Sequence, residues 1–325
     1  MVCYKDGGDW NRQEEIDCTA RFNIQDESLT EAIVEFLFHL RATGCARSTI
    51  ECYLRELNIL ATDLGDIQLS HVTAKNLENT LVRRGMAGFS DITLSPVTMN
   101  RIKSAYRSFF RWAQETGRTP SNPAACLRLA KTKTHYTPPI SPEEVNRLLT
   151  TIVSSDDPLA GRDMALFSVY AFSGVRRAEA LGLCMADYDP NLRILNIRHG
   201  KGGQRRTQPV PERLAKILGK YIVRLLRHHR LHEDSPLFPG RHPDRPLSVR
   251  QANERFDKWK RLAKIRRRIT IHSFRTGFAT ALYGTTRDLL LVAHALGHRD
   301  IRTTEKYIAP HPAETRMSIE AAFPE

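Results

Sequence analysis

Six residues in the second half of the chain have the types expected of a site that attacks a phosphodiester: Arg176, Lys201, His272, Arg275, His298 and Tyr307. Arg176 follows a Ser-Gly break in SGVRRAEALGL, and Lys201 sits in the Gly-rich stretch HGKGG. His272 and Arg275 stand one turn apart in HSFRTGFAT, on one face of an expected helix. His298 and Tyr307 bracket a short polar segment, LGHRDIRTTEKYIAP, entered from the apolar run DLLLVAHAL and its terminal Gly297. Attack on a phosphodiester spreads negative charge over the non-bridging oxygens, and two planar guanidiniums suit that charge. The leaving oxygen needs a proton donor, a task for a lysine. A tyrosine hydroxyl can form a phosphoester that reverses without added energy, but its ordinary pKa near 10 calls for nearby cations or a histidine base. No carboxylate cluster accompanies these residues, so a metal site is not expected.

The net charge of +13 favours a polyanionic partner, nucleic acid before a membrane surface. Its distribution is uneven: residues 1–130 carry 15 Lys/Arg against 16 Asp/Glu, and residues 131–325 carry 34 against 20. With 325 residues, 41% of them hydrophobic, two separately cored domains are affordable. No apolar run is long enough to span a bilayer, and the N-terminus lacks the basic-then-apolar pattern of a secretion signal. The six cysteines are scattered, without a CxxC pair or zinc spacing, which reads as reduced thiols in a cytoplasm.

Residues 1–26 read as a polar arm. Helical periodicity begins in SLTEAIVEFLFHLRATG and repeats in ARSTIECYLRELNILATDLG, with Ser48 as the expected N-cap. A third helix is expected over roughly 73–84. The fourth, SPVTMNRIKSAYRSFFRWAQETG, has Ser95 to cap it, Pro96 at its first position and Gly117 at its end. Ile102, Ala105, Tyr106, Phe109 and Ala113 form its apolar face, while Lys103, Arg107 and Arg111 form a basic stripe that fits a helix lying on phosphates. The stretch LAKTKTHYTPPISPEE reads as an extended, rather stiff basic linker over 131–140, after which Ser141, Pro142 and Glu144 open a new helix. The second half alternates helices with one hairpin, LRILNI to QRRTQPV, carrying Lys201 at its tip. Arg266, Arg267 and Arg268 read as phosphate contacts outside the reaction. His199 and His294 are assigned no role.

As a set, SGVRRAEALGL, GKGGQRR, HSFRTGFAT, LGHRDIRTT and Tyr307 resemble the motifs of the tyrosine recombinases, the phage integrase family, in a Xer-like two-domain form. The resemblance covers about residues 27–310. It implies a mainly α protein: an all-helical N-terminal core-binding domain (27–130), a linker (131–140) and a mixed, mostly helical catalytic domain (141–325) with a small antiparallel β-sheet. It implies a site-specific recombinase that cuts double-stranded DNA through a 3′-phosphotyrosine, exchanges strands through a Holliday junction and needs no cofactor. Carried over, Arg176 and Arg275 would clamp the scissile phosphate and Lys201 would be the general acid. His272 would help activate the tyrosine or hold the phosphate, His298 would hydrogen-bond the phosphate, and Tyr307 would be the nucleophile. DNA contacts are expected from Lys103, Arg107, Arg111, Lys131, Lys133, Arg177, Arg205 and Arg206.

Two departures from the family pattern, Arg177 and Thr276, remove no reacting group. In the family the C-terminal segment packs on a neighbouring protomer, so residues after 310 are expected to exchange within a tetramer on DNA. A related recombinase or a directionality factor is a candidate accessory partner. The first 26 residues look too short for a further arm-site-binding domain. Two other readings, a catalytically silent DNA-binding regulator and a type IB topoisomerase, share parts of this pattern. The complete reacting set argues against the first, and the separate helical domain and tail against the second.

Overall fold

The computed structural model describes residues 27–86, 94–132, 137–198, 205–228, 230–298, 300–305 and 320. Lys201, Lys133 and Tyr307, the arm over 1–26 and nearly all of the tail after 305 lie outside the described residues. The chain forms two compact units, Met1–Thr134 and His135–Glu325, a division inside the stretch read as a linker.

The first unit is helical: α1 (Leu29–Ala42), α2 (Arg47–Leu64), α3 (Ala74–Met86) and α4 (Pro96–Glu115). Ser28 and Glu31 form a capping box on α1, and Ser95 accepts from the Thr98 N–H to start α4 just ahead of Pro96. Helix α2 begins before the expected Ser48. The Ala46 carbonyl already accepts from the Thr49 and Ile50 N–H groups, so Ser48 lies within the first turn. All five apolar positions expected on α4 are buried. Phe36 packs against Phe109 and Trp112, with ring centroids 5.4 and 5.3 Å apart, and each such burial contributes about 1.5–3 kcal/mol. Lys103 and Arg107 of the basic stripe donate to the carbonyls of Arg128 and Leu127, holding the segment after α4 along the helix, while Arg111 stays exposed.

The second unit contains α5 (Pro142–Val153), α6 (Ala160–Ser173), α7 (Arg177–Leu181), α8 (Glu212–His228), α9 (Val249–Leu262), α10 (His272–Thr286), α11 (Leu289–Leu296), α12 (Arg302–Glu305) and a small sheet, with α5, α8 and α10 packed against α6. The sheet has order β1-β2-β3 and is antiparallel throughout: β1 (Tyr188–Asp189), β2 (Ile194–Ile197) and β3 (Arg206–Pro209). Strands β2 and β3 are the expected hairpin, and Ile197 faces Arg206 at its last described pair. The two-residue β1 was not expected; it is too short to show an alternating pattern. Helix α12 lies in the short polar segment before Tyr307, where four residues carry no helical period that sequence could show. Helix α5 starts at the Ser141–Glu144 capping box. Arg267 is not a free phosphate contact here: it ion-pairs with Glu144 and donates to the Pro139 carbonyl, tying the start of the unit to the approach to α10. Asp163, fully buried on α6, accepts from Arg162, Arg255 and the Trp259 indole, which fixes α9 against α6. Among the described residues no helix is long and apolar enough to cross a membrane.

Candidate active site

Arg275 lies at the centre, on the first turn of α10, with only 2% of its surface exposed. Its neighbour Phe274 is wedged among Phe167 and Phe256, with centroids 6.1 and 5.6 Å away, so the helix is held from rotating. Arg275 Nη1 donates to the Gly174 carbonyl at 2.8 Å, and Nη2 donates to the Leu296 carbonyl at 2.7 Å and to His298 Nε2 at 2.8 Å. Gly174 ends α6 in the left-handed region, and a Cβ there would stand 2.4 Å from the Phe278 ring. A larger residue would displace the carbonyl that Arg275 uses.

A guanidinium only donates, so His298 Nε2 must accept. The ring proton of neutral His298 is therefore assigned to Nδ1, which donates to Thr304 Oγ1 at 2.8 Å. Thr304 is fully buried on α12. Burial first, then the guanidiniums of Arg275, Arg176 and Arg206, push His298 down to about 4 despite the opposing Glu179 charge. The imidazole is neutral at pH 7. His272, the first residue of α10, is also held below its ordinary value, by desolvation and then by Arg275, Arg176 and Arg177. A neutral imidazole beside a cationic cluster is a competent proton acceptor.

Arg176 caps α7, directly after the Gly174 turn, and shares its partner with Arg206. Its backbone N–H donates to Glu179 Oε2 at 2.8 Å and its Nη1 to Oε1 at 2.7 Å. Arg206, at the start of β3, grips the same carboxylate from the other side, Nη1 to Oε1 at 3.0 Å and Nη2 to Oε2 at 2.8 Å. The Glu179 side chain is 2% exposed. Burial alone would raise its pKa, but the hydrogen bonds from Arg206 and Arg176 outweigh that and hold it at about 2. Its folded pKa lies below the ordinary carboxylate value, so ionised Glu179 adds stability above pH ~4 that is lost as pH falls toward 2. Glu179→Gln is expected to cost about 2–3 kcal/mol at pH 7, with the deficit shrinking at pH 3, in urea melts of the two proteins. A pH-independent difference would contradict this account.

The described residues thus bring Arg176, His272, Arg275 and His298 into one electrostatic cluster. Lys201 and Tyr307 lie outside them; of their described neighbours in sequence, Arg206 at the start of β3 pairs with Glu179 and Thr304 on α12 bonds to His298. Arg206, read from sequence as a DNA contact, pairs with Glu179 through both Nη groups. Arg177 donates to Asn253 Oδ1 at 3.2 Å, and Arg205 and Lys131 are exposed. Glu179 and Thr304 were not singled out by sequence reading. The one available signal was a carboxylate three residues after Arg176, the spacing of facing residues on a helix.

Residues 139–314 match the model of the phage integrase family, and residues 33–117 match that of the phage integrase N-terminal SAM-like domain. A tyrosine recombinase XerC from Chromobacterium violaceum is 30% identical over 285 residues, covering 86% of this chain and 90% of the relative. The XerC of Proteus mirabilis is 29% identical over the same length. Among solved structures, the Tn1549 transposon integrase superposes with a TM-score of 0.68 at 16% identity, covering 92% of this chain and 100% of the other. A lambda integrase dimer bound to a core site gives 0.66 at 18%, over 87% and 78% of the two chains. The chain belongs to the phage integrase family and is a site-specific tyrosine recombinase.

Proposed function

We propose that this recombinase cleaves and rejoins double-stranded DNA through a 3′-phosphotyrosine formed by Tyr307, and exchanges strands through a Holliday junction. The observation that carries the reading is the convergence of Arg176 and Arg275 on His298, with two neutral histidines beside them. A scissile phosphate would meet two guanidiniums whose positive charge is set in place before it arrives. Arg275 is oriented by the Gly174 and Leu296 carbonyls and by His298, which hold its guanidinium plane in place before the phosphate arrives. The added negative charge would raise the His298 pKa from about 4, letting the ring take a second proton and donate to a non-bridging oxygen. Neutral His272 would accept the Tyr307 proton, and Lys201 would protonate the leaving 5′-oxygen. No step in this sequence requires a metal or a cofactor.

The similarly folded lambda integrase, seen as a dimer bound to a core site and as a tetramer bound to a Holliday junction, supports DNA as substrate and a tetrameric synapse here. Duplex contacts would come from Arg111, Lys131, Lys133, Arg177 and Arg205. Lys103 and Arg107 retain unused N–H donors beyond their carbonyl partners and can add to them. A cytoplasmic site of action fits the scattered cysteines and the lack of a membrane-crossing helix among the described residues. Deleting residues 312–325 is expected to abolish cooperative occupancy of a two-site duplex while leaving one-site binding intact in gel-shift titrations; unchanged cooperativity would sink tail exchange. Cleavage is tested by covalent trapping on nicked duplexes in EDTA, where attachment to DNA by the parent protein and none by Tyr307→Phe is expected.

A further inference from the structure

We infer that Arg206 is a positioning residue of the reaction rather than a DNA contact: it neutralises Glu179 so that Arg176 keeps its charge for the phosphate. This rests on the cleavage reading above. The carboxylate of Glu179 faces two arginines at once. Arg206 spans both oxygens in a fork, at 3.0 and 2.8 Å, while the Arg176 guanidinium reaches only Oε1. Bidentate pairing is the stronger and more directional of the two arrangements. The buried carboxylate therefore orients Arg176 without claiming its whole charge. With Arg206 in place two guanidiniums face the one carboxylate of Glu179; without it Arg176 faces that carboxylate alone. The transition state of phosphoryl transfer gathers charge on its oxygens, so that difference is felt where the reaction is slowest.

Arg206 also lies against the turn that carries His298. Gly297 has φ +64, and a Cβ on it would stand 2.7 Å from Arg206 Cδ and 2.8 Å from Nε. The side chain thus runs across bare backbone one residue before His298, and its charge is among those that hold His298 neutral. At the other end, the Arg206 backbone is paired with Ile197 at the base of the hairpin that continues to Lys201. A single side chain from β3 thereby braces the α7 arginine and the α11 exit turn. With 15% of its side chain exposed and both Nη groups committed, it has little to offer DNA, whereas Arg205 beside it is open to solvent.

The test compares Arg206→Gln, Arg206→Lys and Gly297→Ala with the parent protein in single-turnover covalent attachment. The probes are the nicked duplexes recovered by trapping, made with either a phosphate or an uncharged methylphosphonate at the scissile position. If the parent protein forms no adduct, the cleavage reading fails and Arg206 is not at issue. Given an adduct, Arg206→Gln is expected to lower the saturated rate on the phosphate duplex about 100-fold with an unchanged half-saturating DNA concentration. Its deficit should largely vanish on the methylphosphonate, where there is less charge to match. Arg206→Lys, which keeps the charge and loses the fork, should fall between, and Gly297→Ala, which displaces the side chain, should share the signature. A raised half-saturating concentration with a normal saturated rate would make Arg206 a DNA contact and overturn the inference. An equal loss on both duplexes, tracking a lowered melting temperature, would reduce it to a fold-stabilising pair and overturn it as well.

Discussion

Arg275→Lys is expected to slow covalent attachment to DNA by roughly 10²–10³-fold while leaving duplex affinity close to that of the parent protein. The substitution keeps a positive charge and much of the volume, so it isolates geometry. Arg275 reaches the Gly174 carbonyl, the Leu296 carbonyl and His298 Nε2 through two separate Nη groups of one rigid plane. A lysine ammonium is a point donor and cannot hold that span and a phosphate together. Duplex affinity is set mainly by the many phosphate contacts of the open surface, to which a residue only 2% exposed adds little. The same contact makes an independent prediction. In Arg275→Gln the largest charge acting on His298 is gone, so the His298 pKa should rise from about 4 toward the ordinary histidine value in an NMR titration. Attachment within a few-fold of the parent in Arg275→Lys, or an unmoved His298, would remove Arg275 from the centre of the site.

The parts of the molecule legible from sequence are those with a local cause. Helix starts at Ser95 and Ser141 follow from capping chemistry written within four residues. The apolar face of α4 follows from its period, and the β2–β3 hairpin from alternation broken by glycines. The grouping of Arg176, His272, Arg275 and His298 could be argued from residue types because attack on a phosphodiester demands that set. What stayed hidden is what depends on long-range contact. Arg206 and Arg205 look alike in the sequence, yet strand alternation turns one onto Glu179 and leaves the other in solvent. Lys103 and Arg107 form a regular stripe, but the carbonyls they bind lie 25 and 20 residues away. Arg267 sits in a run of three arginines and is distinguished only by Glu144, 123 residues earlier. Thr304 carries no signal of its own; it matters because α12 folds it beneath His298.

Whether Tyr307 is the residue that breaks DNA is read from covalent trapping. The protein and its Tyr307→Phe variant are each mixed, in EDTA, with a library of nicked duplexes of random sequence. The nick lets the short cleaved strand diffuse away, so an attached protein cannot rejoin it. After denaturation in SDS, DNA that remains bound to protein is sequenced. Attachment to a defined sequence is expected of the parent protein and none of Tyr307→Phe, with both still shifting the recovered duplex in a gel. Duplex binding without attachment by the parent protein would contradict cleavage altogether. Attachment that survives in Tyr307→Phe would leave the reaction standing and remove its proposed nucleophile.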